Sequence, residues 1–209
     1  MSVIVPAFDA AASIAETLAS VGGQTYRNLE VVVVDDGSTD DTVARVAALA
    51  ERDTRIVLLR QDHGGVAAAR NLAIAHATGE LIAPLDADDL WEPRKLERQV
   101  EALAAAPASV SFVYCWWRNV DSAGRMLYDG PRWRVEGRAF ERLVEVNFVG
   151  NASIPLIRRA ALDEVGGYSE RLRRENGQGC EDWDLYLRLA ERSELRVVPE
   201  ILVSYRSHD

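Results

Sequence analysis

Four consecutive valines, Val31 to Val34, stand in "LEVVVVDDGS". A strand with one face in water alternates apolar and polar side chains, whereas an unbroken β-branched run needs cover on both faces. Such a strand belongs inside a parallel sheet with helices on either side. The flanking sequence supplies them. "SVIVP" (2–6) is a short apolar run, and "AAASIAETLASVGGQ" sets Ile14, Leu18 and Val21 at helical spacing before Gly22-Gly23. After the valines, "STDDTVARVAALAERD" opens a helix that Ser38 and Asp40 are both able to cap. "RIVLLR" is a third strand, "GGVAAARNLAIAHATG" a helix bounded by glycines, "ELIAPL" a fourth strand, and "PRKLERQVEALAAA" a helix with Pro93 at its start. The order βαβαβαβ predicts an α/β fold with a mostly parallel sheet and right-handed crossovers.

The second half changes style. "VSFVYCWW" (110–117) reads as a strand, with a turn at Asp121 to Gly124 leading to another. "GRAFERLVEVN" is a helix, "NASIPLIRR" a strand, and "RAALDEVGGYSE" a short helix closed by Gly166-Gly167. "CEDWDLYLRLAERS" is strongly amphipathic, and "ELRVVPEILVSYR" is a final strand or hairpin bending at Pro199. No linker divides the chain, so one domain over 1–209 is expected, with halves 1–106 and 107–209 sharing one sheet.

The 209 residues carry a net charge of -9. An acidic chain is poorly matched to nucleic acid, whose phosphates demand clustered Lys and Arg, so no nucleic-acid partner is expected. An anionic ligand would need a cation to mediate it. Cys115 and Cys180 fit no metal spacing and no disulfide framework, which points to free thiols in a reducing compartment. No signal peptide is visible, and no stretch of about eighteen apolar residues exists to span a membrane. The expectation is a cytoplasmic protein, with peripheral contact at the inner face of the cell membrane left open. Both ends are abrupt, and a natural protein longer at its C-terminus is expected.

Acidic residues collect where the strands end. Asp86, Asp88 and Asp89 follow "ELIAPL", and Asp35 and Asp36 follow the valines. Ligands of open α/β sheets bind beyond the carboxyl ends of the strands. Asp-x-Asp there puts two hard oxygen ligands near one point, as Mg²⁺ or Mn²⁺ prefers, and the cation can carry a diphosphate. The plainer reading is turn and cap chemistry before Pro93. Asp36 precedes a glycine turn and is placed to accept hydrogen bonds from a nucleobase or ribose, while Ser38 to Asp41 fit capping. In "EDWD" (181–184), carboxylates open a helix after the glycine-rich "ENGQGC", a setting that suits a general base as well as routine capping. His63 reads as a loop residue and His76 as a helix-surface residue. Spacing alone does not separate His208 from background.

Taken in order, "SVIVPAFD", "QTYRNLEVVVVDDGSTDDT", "GGVAAARNLAI", "ELIAPLDADDLWEP", "GNASIPLIRRAALDEVGGYSERL", "EDWDLYLRLA" and "YRSH" resemble glycosyltransferase family 2 over nearly the whole chain. The resemblance implies a GT-A fold, with a Rossmann-like nucleotide-sugar-binding half (1–106) and a mixed-sheet half (107–209) bearing the acceptor side and the base. It places Pro6, Ala7 and Phe8 against the nucleobase, Asp36 on the base and Arg70 in the nucleotide pocket. It makes Asp86 and Asp88 the Asp-x-Asp element, one facing the ribose and one the metal, with Asp89 sharing that role. Asp182 becomes the catalytic base, with Glu181 as the alternative if the helix is rotated, and His208 a further ligand to Mn²⁺ or Mg²⁺. The implied partners are a nucleotide-sugar donor, UDP by family habit, and a sugar, lipid-linked or other hydroxyl acceptor. Trp116, Trp117 and Trp133 are candidates to stack on an acceptor sugar, although strand neighbours face opposite ways. The family often has Tyr-Asn where Phe8-Asp9 stand, which leaves the base open.

Rival readings fit less well. A haloacid-dehalogenase-like phosphatase would want Thr or Val where Leu90 stands. A nucleotidyltransferase would show a Gly-rich basic loop where "PAFDAAAS" has neither glycine nor base. No G-x-G-x-x-G marks a NAD site. A non-catalytic nucleotide-sugar-binding module remains as the binding alternative.

Overall fold

The computed structural model describes residues 1–175, 177 and 179–207. The chain runs β1 (Ser2–Ala7), α1 (Ile14–Gly22), β2 (Glu30–Asp35), α2 (Thr42–Ala50), β3 (Ile56–Arg60), α3 (Val66–His76), β4 (Leu81–Pro84), β5 (Leu90–Trp91) and α4 (Lys95–Ala104). It continues with β6 (Val110–Val120), β7 (Met126–Asp129), α5 (Phe140–Glu145), β8 (Leu156–Arg158), α6 (Arg159–Val165), α7 (Arg171–Arg174), α8 (Glu181–Arg192) and β9 (Glu194–Arg206).

Val31 to Val34 are all buried, and β2 has a parallel neighbour on each side, β1 and β3. The order β3-β2-β1-β4 is parallel throughout. With right-handed crossovers, α1 and α2 cover one face and α3 the other, and this is why the valine run alternates with nothing polar. Beyond β4 the same sheet becomes mixed: β8 is antiparallel to β4 and β6, β9 is parallel to β6, and β5 is antiparallel to β9. The two halves therefore share one nine-stranded sheet, joined where Ile82 of β4 pairs with Ile157 of β8.

Of the two readings of the final segment, strand or hairpin, the strand holds: Val198 pairs with Cys115 and Ile201 with Trp116, so Pro199 and Glu200 are accommodated as an irregularity in a continuing ladder. Proline has no N–H to offer a ladder and is tolerated at such bulges. The capping expectation shifts. Asp40 Oδ1 accepts from the Thr42 N–H at 2.9 Å, but Ser38 Oγ accepts from the Asp9 N–H at 2.9 Å. Asp9, at φ +45°, returns the tie by accepting from the Thr39 N–H at 2.7 Å. These bonds stitch the exit of β1 to the exit of β2 and set Phe8 in place. β5 is a strand the sequence does not announce, since two residues carry no period.

Lys95 at the head of α4 is fully buried. Its Nζ lies 3.8 Å from the centre of the Trp91 ring and has no hydrogen-bond partner among the described residues. Cation–π attraction gives about 2 kcal/mol when desolvated, less than the several kcal/mol that burying an ammonium costs. Burial wins and pushes Lys95 down to about 7. The unfolded lysine keeps its proton to about pH 10.4. Between those values the unfolded chain binds more protons, so stability rises with pH across that window. Lys95→Met should flatten this rise and stabilise the fold by on the order of 1 kcal/mol at neutral pH, as urea melts at several pH values would register.

Candidate active site

The chain runs outward from β1 to β3 on one side and then returns through α3 to β4 on the other, so the sheet has a switch point between β1 and β4. A crevice opens there beyond the carboxyl ends. Pro6, Ala7 and Phe8, at the end of β1, line a small cavity of about 220 Å³ together with Asp36, His63 and Gly65. The four residues expected around a nucleobase are thus brought together.

Asp36 is not idle at that wall. Oδ1 accepts from Gln61 Nε2 and the Gly64 N–H, both at 2.7 Å, and Oδ2 accepts from the Gly65 N–H at 2.8 Å, with His63 Nδ1 at 3.1 Å. The carboxylate thereby folds loop 61–65 over the cavity. Gly65 makes that possible, since its φ of +93° is left-handed territory and a Cβ there would lie 2.9 Å from Arg173 Nη1. The Phe8 and His63 rings lie 4.5 Å apart, tilted by 40°. His63 is a site residue the sequence reading missed, because nothing local shows that a loop histidine will meet the end of β1.

A larger cavity of about 810 Å³ adjoins it and also touches His63. Arg70 of α3, Asp86 beyond β4 and Asp182 of α8 all line it. Arg70 faces this cavity rather than the small one, and it clamps two carboxylates: Nη2 donates to Asp86 Oδ1 and Nη1 to Asp182 Oδ1, each at 2.6 Å. Burial would lower the guanidinium, but Asp182 and Asp86 more than offset it and hold Arg70 well above its usual range. Its plane also lies 5.0 Å from the Tyr168 ring centre. Burial pushes Asp182 up to about 6, with Arg70 and the Ala152 N–H pulling the other way and Asp86 and Glu181 adding repulsion. Glu181 is more enclosed, and its Oε2 accepts from the Gly179 N–H at 2.8 Å. Asp184 pairs with Arg188 at 2.7 Å.

The acidic loop after β4 divides its aspartates between two tasks. Asp86 lines the cavity and Asp88 is half-buried two residues on. Asp89, expected beside Asp88 as a metal ligand, is fully buried with both oxygens occupied: Oδ2 accepts from Asn151 Nδ2 at 2.7 Å and from Ser153 Oγ, and Oδ1 from the Arg206 N–H at 2.9 Å. Burial, then Asp86 and Asp88, raise Asp89 well above the usual carboxylate range, opposed by Ser153 and the Arg206 N–H. Arg206 further donates to the Asp88 carbonyl at 2.9 Å and pairs with Glu16 at 2.7 Å. Ser153, Asn151 and Arg206 thus brace the loop, and the sequence reading named none of them for it. His208 lies outside the described residues. Among those described, no three His, Cys, Asp or Glu side chains are gathered as a metal cage. Hard divalent cations at phosphate sites commonly take only one or two carboxylates, with substrate phosphates and water completing the shell. Asp86 lines the cavity and Asp88 stands half-buried on the same loop, so these two carboxylates fit that role.

Residues 2–166 match glycosyl transferase family 2. The chain belongs to that family. Asp36, Arg70, Asp86 and Asp88 fall inside the matched segment, and Asp182 beyond it. A glycosyltransferase of Rickettsia conorii is 28% identical over 206 residues, which is 99% of this chain and 32% of the relative. The chondroitin synthase of Escherichia coli is 28% identical over 201 residues, 96% of this chain and 28% of that protein. The chain thus spans about a third or less of the length of these relatives. A mannosyltransferase from Pyrobaculum calidifontis, solved with GDP-Man and Mn²⁺, superposes with a TM-score of 0.75 at 28% identity, covering 97% of this chain and 55% of that one. S. aureus TarS 1-349 in complex with UDP gives a TM-score of 0.78 at 21% identity over 99% of this chain and 60% of that one, a likeness of fold. The fold is the GT-A fold.

In this family 2 chain Arg70 is a buried cation shared by two carboxylates. Arg70→Ala would leave Asp86 and Asp182 desolvated without the cation between them, and should cost about 3 kcal/mol in a denaturant melt. The carboxyl of Asp182 should climb above about 6, a change that its NMR titration would follow.

Proposed function

We propose that this domain moves a sugar from a nucleoside-diphosphate sugar to an acceptor hydroxyl by a single displacement with inversion. The observation that carries the reading is Asp182: a carboxylate raised to about 6, held by Arg70 at 2.6 Å beside Asp86 in a cavity at the sheet's switch point. The small cavity takes the nucleobase, between the end of β1 and the Asp36-anchored loop. UDP is the first nucleotide to test and GDP the next, since one structural neighbour was solved with UDP and another with GDP-Man. Asp182 takes the proton from the acceptor hydroxyl. The freed oxygen bonds to the anomeric carbon from the side opposite the diphosphate, and the carbon–diphosphate bond breaks with its electrons on the leaving oxygen. Arg70 keeps the base oriented and ionised through the approach. Asp88, with Asp86 beside it, would hold a divalent cation, Mg²⁺ or Mn²⁺, which when bound neutralises charge on the diphosphate. A glycosidase needs a second carboxyl as acid, whereas a diphosphate leaves as an anion, so one base suffices.

Asp182→Asn should leave the nucleotide Kd, read by calorimetry with Mn²⁺, near that of the unaltered protein while lowering kcat by about 10²–10⁴. Turnover at the unaltered level in that variant would contradict the assignment. EDTA should abolish nucleotide binding and turnover together.

The base must be ionised to accept a proton. As pH falls through about 6, Asp182 becomes protonated, so kcat/KM should drop about tenfold per unit on the acid side. Rate profiles from about pH 8 to about pH 5 would show that limb, and a flat profile would speak against Asp182 as the base.

A further inference from the structure

The large cavity has a second wall that the proposed donor chemistry does not use. Asn119 of β6 pairs with Tyr128 of β7 on one side and with Tyr205 of β9 on the other. Residues directly opposite in a sheet present their side chains to the same face. The register therefore lays Tyr128, Asn119 and Tyr205 in one row across three strands. Trp117, two residues back on β6, shares the face by the two-residue period of a strand. All four line the cavity that holds Asp182.

This face is built for an occupant. Tyr128 is 60% exposed and Tyr205 37%, so two large rings are left uncovered where burial would ordinarily be favoured. A glycine makes room for the Trp117 indole: a Cβ on Gly130 would fall 2.5 Å from its Cε2. The Gly130 N–H also donates to the Trp117 carbonyl at 2.9 Å, tying the ring's strand to its slot. Trp116 and Trp133 take no part; Trp116 is buried, with its Nε1 donating to the Trp133 carbonyl at 2.7 Å.

Aromatic rings alternating with an amide suit one ligand chemistry. A sugar ring offers C–H groups on one face and hydroxyls around its edge, so the rings take the face and the amide takes the edge. An acyl chain would want continuous apolar wall, and Asn119, Asn147 and Asn151 interrupt it. We infer that the row Tyr128–Asn119–Tyr205 with Trp117 is an acceptor subsite for a sugar ring, so that the acceptor is a carbohydrate. The inference rests on the transferase reading, since the bound ring is the one whose hydroxyl meets Asp182.

The test uses the nucleotide sugar that the protein binds, with methyl glycosides of glucose, galactose, mannose, N-acetylglucosamine and glucuronic acid, their β-linked disaccharides, and decanol as a non-carbohydrate acceptor. Transfer to at least one saccharide is expected. Tyr128→Ala should raise the KM for that saccharide about tenfold with little change in kcat, because the lost contact is to the acceptor ring. Tyr128→Phe, which keeps the ring, should restore it. Leu127→Ala, on the opposite face of β7, should leave it unmoved, and the nucleotide Kd should be the same in all variants. Donor hydrolysis with transfer to decanol alone or to no acceptor, or a saccharide KM indifferent to Tyr128→Ala, overturns the inference and leaves the transferase reading standing. Absence of both nucleotide binding and donor hydrolysis sinks the transferase reading, and this inference with it.

Discussion

The guanidinium of Arg70 between Asp86 and Asp182 is the contact on which the rest of the site depends. It joins three elements far apart in sequence: α3, the loop after β4, and the first turn of α8. Carboxylates this enclosed repel one another and resist desolvation, and a fixed cation makes their approach tolerable. Arg is suited to the task because its planar fork serves two partners at once and keeps its charge when buried. One residue thus ties the proposed donor side to the proposed base while leaving Asp182 basic enough to act near neutral pH.

Around that clamp, the acidic loop is held from beneath by groups of other elements. Asp89 works inward, taking hydrogen bonds from Asn151, Ser153 and Arg206. Ser153 also bonds the Asp86 N–H at 3.0 Å, and its carbonyl accepts from Trp91 Nε1 at 2.8 Å. Trp91 in turn lies against the buried Lys95. A chain of contacts therefore runs from the core of α4 to the aspartates at the mouth of the sheet. Neighbours in sequence thus meet different surroundings, Asp88 half-buried and Asp89 fully enclosed.

The mixed half of the sheet supplies what a parallel sheet alone cannot. β6 is long, and it carries β7 on one flank and β9 on the other at its far end. That arrangement lays a broad face of aromatic and amide side chains beside the crevice at the switch point. The proposed acceptor face and the bracing of the acidic loop meet on β9, where Tyr205 lines the cavity and Arg206 holds Asp89.

Local chemistry alone determined much of this protein. The Val31–Val34 run demanded cover on both faces, helical spacing placed the helices, and the carboxylates at strand ends marked the mouth of the sheet, because periodicity and turn chemistry act over a few residues. The ordered set of motifs was enough to identify the family. What only tertiary structure decided was pairing at long range. Asp89 could not be told from Asp88 until Asn151, Ser153 and Arg206 closed around it. His63 had no role until its loop folded onto Asp36, and Arg70 gained its second carboxylate from a helix more than a hundred positions away. Trp117 was separated from Trp116 by which face of β6 met the cavity. Strand register, not residue type, sets which side chains face one another, and register is a property of the assembled sheet.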